Sequence, residues 1–261
     1  MKKIFLPIIA ICLTISSLNA QDDRPVRIAF AIQPATSWLA PEGDILEKDA
    51  NRLAFSYGII TDFTIAGNPN YAFSTGILIN SQGGTIKNTR YHDGTTMVMP
   101  KGDTVSTLID EFAESTEKYR LQYLDIPLTL KLKTNEIGYF TYYGQFGLDL
   151  SFNIKAREDI EYKFPSESEM SEEDLNISED ISFFRTALQV GAGVEYNISG
   201  DTYLVGGIVW NNGLNNIFSD QNYIMEDDDG SPAITGNNSL REGEKIKVTS
   251  NYLGLTLGVF F

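Results

Sequence analysis

The chain has 261 residues, of which 42% are hydrophobic and 11% aromatic, so it can bury a substantial core and is not a disordered protein. Its 35 acidic and 20 basic residues give a formal net charge of −15. This excess of acid excludes a nucleic-acid backbone as partner, because such a partner requires clustered Lys and Arg.

The N-terminal segment predicts an export signal. Lys2 and Lys3 precede the apolar run Ile4 to Ile15, and Ala20 is a small residue before Gln21. The run is shorter than the roughly 20 apolar residues of a membrane-spanning helix, which favours cleavage over an uncleaved anchor, although Leu18 is large for its position before the cleavage site. We therefore predict two parts, a signal peptide at 1–20 and a mature domain at 21–261.

The single cysteine, Cys12, lies inside the predicted signal peptide. The residue before it, Ile11, is too large for a lipoprotein cleavage site, so no lipid anchor is expected. The mature protein would then have neither a disulfide nor thiol chemistry.

Apolar and polar residues alternate with period two along the rest of the chain. In the segment 123–132, one face carries Leu124, Ile126, Leu128, Leu130 and Leu132, and the other carries Tyr123, Asp125, Pro127, Thr129 and Lys131. Eight segments of this kind are predicted as strands: about Val26 to Gln33, Leu53 to Ala66, Tyr71 to Asn80, Tyr119 to Lys133, Gly138 to Lys155, Ser182 to Ile198, Thr202 to Asn212 and Lys245 to Phe261.

Short and long connections alternate between these strands. Tight turns are predicted at 67–70, 134–137 and 199–201, and long loops at about 34–52, 82–118, 156–180 and 219–244. In an antiparallel meander, alternate connections lie at the same end of the sheet. The three turns and both termini are therefore expected at one end, and the four loops at the other.

This organisation predicts an all-β fold, an eight-stranded antiparallel up-and-down transmembrane β-barrel with short periplasmic turns and long extracellular loops. Lipid supplies no hydrogen-bond partners, so a sheet in a membrane must close and leave no edge. The last strand, which ends at Phe261, is expected to pair with the first. Its terminal aromatic resembles the C-terminal signal for the barrel-insertion machinery, although Thr256 occupies a position where that signal commonly has glycine.

Aromatic residues near both ends of the strands predict two interfacial girdles. The turn end would carry Tyr71, Tyr139, Phe140, Tyr203 and Phe261, and the loop end Trp38, Phe55, Phe152, Phe184 and Trp210.

Charged residues on the less apolar faces predict a polar interior. The side chains expected to point inward are Asp62, Asp125, Lys131, Asp149, Arg185 and Glu195. An eight-stranded barrel is filled by side chains, so we interpret them as a core network of paired charges. A soluble lipocalin-like binding barrel, polar outside and apolar inside, remains the alternative fold.

No catalytic, cofactor-binding or metal-binding residue is predicted, and no cofactor is expected. The only histidine, His92, lies in a predicted loop without a nucleophile motif. The acidic run before Gly230 lacks calcium-loop spacing, since Met225 and Gly236 occupy the first and twelfth places.

Two segments resemble a known family. The sequence "YLDIPLTLKLKT" (Tyr123 to Thr134) with "GYFTYYGQFGL" (Gly138 to Leu148), and "GLNNI" (Gly213 to Ile217), are similar to motifs of the PorT-like outer-membrane β-barrel family of Bacteroidota. The resemblance implies an outer-membrane location and, from the family's founding member, a link to type IX secretion. The family has no catalytic motif to carry over.

The expected function is non-enzymatic: a structural or interaction component of the envelope with acidic extracellular loops. A small porin-like channel or transporter is the alternative, disfavoured because eight strands leave little lumen. The four predicted loops hold 27 of the 35 acidic residues. Expected partners are outer-membrane lipid and lipopolysaccharide, the barrel-insertion machinery, and a secretion or envelope protein.

Overall fold

The computed structural model describes residues 26–42, 46–88, 98–99, 114–163, 169–219, 223–226, 241–245 and 247–261. The predicted signal peptide with its cleavage site, His92 and the acidic run at 227–230 lie outside these residues. Within the described residues, no helix has the length and apolar character needed to cross a membrane.

The described chain consists of strands joined by turns. In chain order they are β1 (Val26–Glu42), β2 (Leu46–Ile65), β3 (Asn68–Asn88), β4 (Val98–Met99), β5 (Glu114–Lys133), β6 (Phe140–Lys163), β7 (Glu169–Asn176), β8 (Phe184–Ser199), β9 (Thr202–Gly213), β10 (Tyr223–Glu226), β11 (Arg241–Lys245) and β12 (Lys247–Phe260). Strands β10, β11 and β4 form a separate small sheet.

Eight long strands close into a barrel in which every pairing is antiparallel. The order is β5-β3-β2-β1-β12-β9-β8-β6, and β6 pairs back with β5. Following paired residues once around the wall from Val26 leads to Thr36, ten residues further along β1. This stagger tilts the strands against the barrel axis. The predicted pairing of first and last strands is confirmed: Phe30 lies opposite Val259 and Glu42 opposite Lys247.

The connections differ in length at the two ends of the barrel, which we call the turn end and the loop end. The tight turns at the turn end are confirmed. Ala66 and Gly67 both have positive φ, 52° and 69°, the geometry that joins two strands through a two-residue turn.

The predicted loops are shorter than expected, which is a correction. Residues 34–42 and 46–52 belong to β1 and β2, and the segments 82–88, 114–118 and 156–163 extend β3, β5 and β6. In the segment 158–180, residues 169–176 form β7, paired with β6. The sequence reading ended each strand where the apolar alternation ended. Hydrogen bonding between strands needs no apolar face, so pairing continues beyond that point.

The two faces of the wall have the polarity predicted for a membrane barrel. Leu124, Ile126 and Leu128 point outward, whereas Asp125, Thr129 and Lys131 are buried inside. Large apolar side chains such as Leu53 (88% exposed) and Ile208 (57%) cover the outside. This arrangement is the inverse of a lipocalin-like barrel, and that alternative is wrong.

Aromatic side chains occur at both ends of the outward face. Tyr71, Tyr139 and Phe140 are exposed at the turn end, and Phe55 and Phe184 near the loop end. Tyr203 is a correction, because it faces inward, with the Arg27 guanidinium 4.5 Å from the centre of its ring. Its neighbour Leu204 takes the outward position.

Candidate functional site

The interior of the barrel at the turn end is a cluster of three cations and two acids. Glu195 lies at its centre, with its Oε2 2.8 Å from the Arg27 guanidinium and its Oε1 2.6 Å from Lys131 Nζ. Asp62 is 2.9 Å from Lys131 Nζ and accepts a hydrogen bond from the Ser74 hydroxyl. Lys133 lies about equally far from both acids, at 3.5 and 3.6 Å. The acids therefore compensate the buried cations closely.

Two aromatic rings pack against this cluster inside the barrel, Tyr143 from β6 and Phe260 from β12. Lys131 Nζ lies 4.4 Å from the centre of the Tyr143 ring and 4.7 Å from that of Phe260. Tyr143 fits because glycines face it: a methyl group on Gly193 or Gly207 would come within 2.5 Å of its hydroxyl. These two glycines are paired across β8 and β9, so no side chain projects into the space that the Tyr143 ring occupies.

A second polar cluster fills the interior towards the loop end. Arg185 donates to Asn211 Oδ1 at 2.5 Å and to the Ser250 carbonyl at 2.7 Å. Asn211 in turn donates to Asp149 at 2.9 Å, and Asn80 donates to Asp125 at 2.7 Å. This cluster thus contains two acids and one cation, whereas the cluster at the turn end contains two acids and three cations.

The space between the clusters is narrow. A cavity bounded by Gln33, Asp125, Gln145 and Gln189 offers about 30 Å³ to the centres of water-sized molecules, enough for a few ordered waters. One oxygen of Asp125 and one of Asp149 lack a hydrogen-bond partner among the described residues, as water-binding groups would. Among the described residues, side chains therefore fill much of the lumen between the two clusters.

The loop end is covered by two chain segments that fold across the mouth, which we call the cap: residues 177–183 and 214–219. The Ser182 amide donates to the Ile217 carbonyl at 2.7 Å, and the Ile217 amide donates to the Val248 carbonyl on β12 at 2.9 Å. The apolar side chains beneath are buried: Leu39, Ile86, Tyr119, Leu121, Tyr123, Ala156, Ile177, Ile181, Ile217, Phe218 and Val248. This cluster seals the polar interior from the loop end.

A carboxyl pair adjoins the cap, beyond the aromatic girdle. The Tyr119 hydroxyl donates to Glu117 Oε2 at 2.7 Å, while the ring of Tyr119 packs edge-on against Phe218 at 5.6 Å. The Glu158 carboxyl also forms a hydrogen bond with the Tyr119 hydroxyl. Burial, with a further contribution from the neighbouring Glu117 charge, raises the pKa of Glu158 to about 8. The Glu158 carboxyl is therefore protonated at neutral pH and available as a hydrogen-bond donor.

The six residues predicted to point inward all do so, and each is at most 3% exposed. The structure joins Asp62, Lys131 and Glu195 in one cluster and Asp125, Asp149 and Arg185 in the other. The sequence reading missed Arg27 and Lys133, although Lys133 follows Lys131 at the spacing that places two residues on one face. Among the described residues, no group of three or more His, Cys, Asp or Glu is arranged to hold a metal ion.

A closed barrel with a charged, packed interior and an apolar outer belt is the architecture of a small outer-membrane β-barrel protein. The family described as outer membrane protein beta-barrel domain matches residues 19–219, more than half of the chain, and the chain belongs to that family. The matched range contains seven of the eight barrel strands, all but β12. The protein accordingly belongs to the outer membrane.

Several solved structures are similar at low sequence identity. Neisserial surface protein A is 12% identical, with 92% of this chain and 100% of that chain covered and a TM-score of 0.39. The outer membrane protease OmpT of Escherichia coli is 8% identical, with coverages of 94% and 99% and a TM-score of 0.39. The outer membrane protein OprG of Pseudomonas aeruginosa is 10% identical, with coverages of 89% and 94% and a TM-score of 0.36. A comparison with curated proteins finds no match.

Proposed function

We propose that the protein is a non-enzymatic, closed barrel that serves as a structural or interaction component of the outer membrane. The observation that supports this best is the combination of a filled lumen and a covered mouth. Glu195 and Lys131 form a buried ion pair inside the barrel at the turn end, and Ile181 and Ile217 of the cap are buried at the loop end. A barrel built in this way holds a surface in place rather than passing a solute.

The acidic segments at the loop end are the proposed interaction surface. They extend β5, β6 and β7 beyond the aromatic girdle and expose Glu161, Glu172, Glu173 and Asp174. Such a surface favours a partner with basic residues, because complementary charge steers association. The resemblance to the PorT-like family of Bacteroidota supports a partner in the envelope or the type IX secretion machinery. In this proposal the chain is exported with a signal peptide cleaved near Ala20 and Gln21.

A conductance recording in planar bilayers tests the closed barrel against the porin-like alternative. The inserted protein is expected to give no stable unitary steps, because side chains fill the lumen. Insertion is verified independently by heat-modifiable migration of protein recovered from the same liposomes, so that an absent current is informative. Stable unitary steps from the folded protein would overturn the proposal and favour a channel.

Chemical cross-linking in native membranes, followed by purification, tests the interaction role. A charge-neutralised variant, Glu172→Gln with Glu173→Gln, provides the comparison. Both side chains are exposed and neither forms an ion pair among the described residues, so folding should be unaffected. We expect the wild-type chain to capture an envelope partner that the variant captures less. Equal recovery of the same partner would show that the acidic face of β7 is not the binding surface.

A further inference from the structure

The outward face of the barrel carries a concentration of positive charge just above its apolar belt. Four cationic side chains from neighbouring strands form this patch, which we call the basic patch: Arg52 on β2, Arg120 on β5, and Lys155 and Arg157 on β6. Arg120 and Arg157 lie directly opposite each other across β5 and β6. Like charges at paired positions repel, so this arrangement is unfavourable without an anion between them.

Acidic side chains compensate only part of the patch. Arg120 lies 2.7 Å from Asp159 and 3.1 Å from Asp174, and Arg157 lies 3.7 Å from a carboxylate oxygen of Asp174. Lys155 is exposed, and neither it nor Arg52 forms an ion pair within the described chain. Four cations therefore face two acids, in a protein whose overall charge is −15.

The Arg52 side chain is partly buried and lies close to both the Arg120 guanidinium and the Asp159 carboxylate. The Arg52 stem runs over Gly83, where a methyl group would come within 3.4 Å of Arg52 Cδ. The Nε atoms of Arg52, Arg120 and Arg157 all lack a hydrogen-bond partner among the described residues. These Nε atoms are buried, so the groups that can meet an external anion are the exposed parts of the guanidinium groups and the Lys155 ammonium.

The surroundings of the patch indicate which anion it would meet. Arg52 is followed by Leu53, which is 88% exposed, and Lys155 is preceded by Ile154, which is 54% exposed. Phe152 and Phe184 of the loop-end girdle lie on the same side of the barrel, 5.5 Å apart between ring centres. Apolar side chains that contact lipid tails therefore stand next to cations at the level of lipid headgroups.

We propose that the basic patch binds the phosphate of an outer-leaflet lipid, with its acyl chains lying along Leu53 and Ile154. Lipid A, the phosphorylated anchor of lipopolysaccharide, has the required chemistry, since it joins phosphate groups to several acyl chains. Guanidinium groups match phosphate oxygens bidentately, and the ammonium of Lys155 adds a point charge. The inference rests on the outer-membrane location and does not depend on whether the barrel conducts or which protein it binds.

Native mass spectrometry of the folded barrel, released from detergent with added lipid, tests this site. The variant Arg52→Gln with Lys155→Gln removes two cations but keeps the ion pairs of Arg120 and Arg157. The matched control is Lys247→Gln, a half-exposed cation at the loop end that pairs with Glu42 instead. We expect the affinity for lipid A to fall by about tenfold in the double variant and to stay unchanged in the control.

Two further probes separate the sources of phosphate. Dephosphorylated lipid A should bind more weakly than lipid A, and inorganic phosphate should compete poorly because it lacks acyl chains. Equal binding of lipid A by wild type and double variant, or equal binding of the dephosphorylated lipid, would overturn the proposal. Competition by inorganic phosphate at the affinity of lipid A would assign the patch to a free anion instead.

Folding of each variant is verified first by heat-modifiable migration. If the double variant does not fold, Lys155→Gln alone is used, because that side chain is exposed and its loss breaks no ion pair among the described residues. It is expected to weaken lipid A binding less than the double variant but still measurably. No change with the single variant would then contradict the site.

Discussion

Buried charges at the turn end are tolerated because each acid has more than one cation. Glu195 lies within 3.6 Å of three cationic groups, so removing any one cation leaves it compensated. The reverse does not hold, because without Glu195 only Asp62 remains for Arg27, Lys131 and Lys133. Leaving a buried charge unpaired lowers the free energy of unfolding by far more than a buried ion pair raises it.

This asymmetry predicts a large effect for Glu195→Gln. We expect the free energy of unfolding to fall by about 3–5 kcal/mol, measured by urea titration in liposomes with tryptophan fluorescence. The control Glu136→Gln changes an exposed acid at the turn end and should stay near wild type. The double variant Lys131→Met with Glu195→Met should lose less than Glu195→Gln. A loss as small as that of the control would mean that Glu195 is not the centre of the cluster.

The carboxyl of Glu158 predicts a pH dependence at the cap. Its pKa is raised from 4.5 to about 8, so the protonated form stabilises the folded state fully below about pH 4.5. That contribution is lost as the pH rises through about 8. Hydrogen exchange of the cap amides, corrected for intrinsic rates, should therefore increase by about tenfold or more between pH 6 and 9.

Replacement of Glu158 by Gln is expected to remove this pH dependence, since the amide cannot ionise. The matched control is Glu161→Gln, which changes an exposed acid three residues further along β6. This variant should keep the pH dependence of cap exchange. The hypothesis fails if the Glu158→Gln cap still opens at pH 9 as the wild type does.

At the scale of elements, the end of β12 contributes to the barrel interior, to the lipid-facing surface and to the closing pair with β1. Phe260 points inward, where its ring covers Arg27 and Lys131. Phe261 points outward and is 60% exposed, and its amide donates to the Ile28 carbonyl of β1 at 2.9 Å. The last two residues thus contribute one aromatic to the core and one to the membrane surface, and a hydrogen bond to the closing seam.

Phe261→Asp is therefore expected to lower the amount of inserted barrel. A charge is placed on the lipid-facing side near the interface, and the terminal aromatic is lost. The measurement is the heat-modifiable fraction in outer membranes at matched expression. Phe164→Asp, in the segment 164–168 that the structure does not describe, is the comparison and should have a much smaller effect. Equal folded fractions would argue against a role of β12 in insertion.

At the scale of the molecule, the barrel closes through the pairing of β1 with β12. Their register places Thr36 opposite Leu253 and Ile32 opposite Leu257, with all four on the outward face. The stagger of ten residues around the wall is fixed by this pairing. A slip by one residue would turn the charges of one strand outward into lipid.

Cysteine cross-linking tests this register directly. Thr36→Cys with Leu253→Cys should form a disulfide in the folded barrel, because paired Cα atoms lie about 4.5–5.5 Å apart. Thr36→Cys with Leu257→Cys should not, since the second cysteine is displaced by about 13 Å along β12. Migration of the boiled protein with and without reductant reports the bond. Efficient cross-linking of the mismatched pair alone would mean that the barrel closes in another register.

The sequence alone determined the strands, the polarity of their faces and the tight turns. These features are local: alternation with period two and turn residues can be read over ten residues, and they placed Asp125 and Lys131 inside and Leu128 outside. Alternation alone does not tell which face is inside; the charges on one face of several strands, together with the terminal Phe261, favoured a polar interior. Neither property needs knowledge of a distant partner.

The partners of each residue were decided only by the tertiary structure. Glu195 meets Arg27 across 168 positions of sequence, and Arg120 faces Arg157 because of the register of two particular strands. The extension of β1, β5 and β6 beyond the apolar belt, the cap formed by Ile181 and Ile217, and the inward turn of Tyr203 have the same origin. They depend on stagger and on backbone hydrogen bonds between strands, which no local pattern of side chains records.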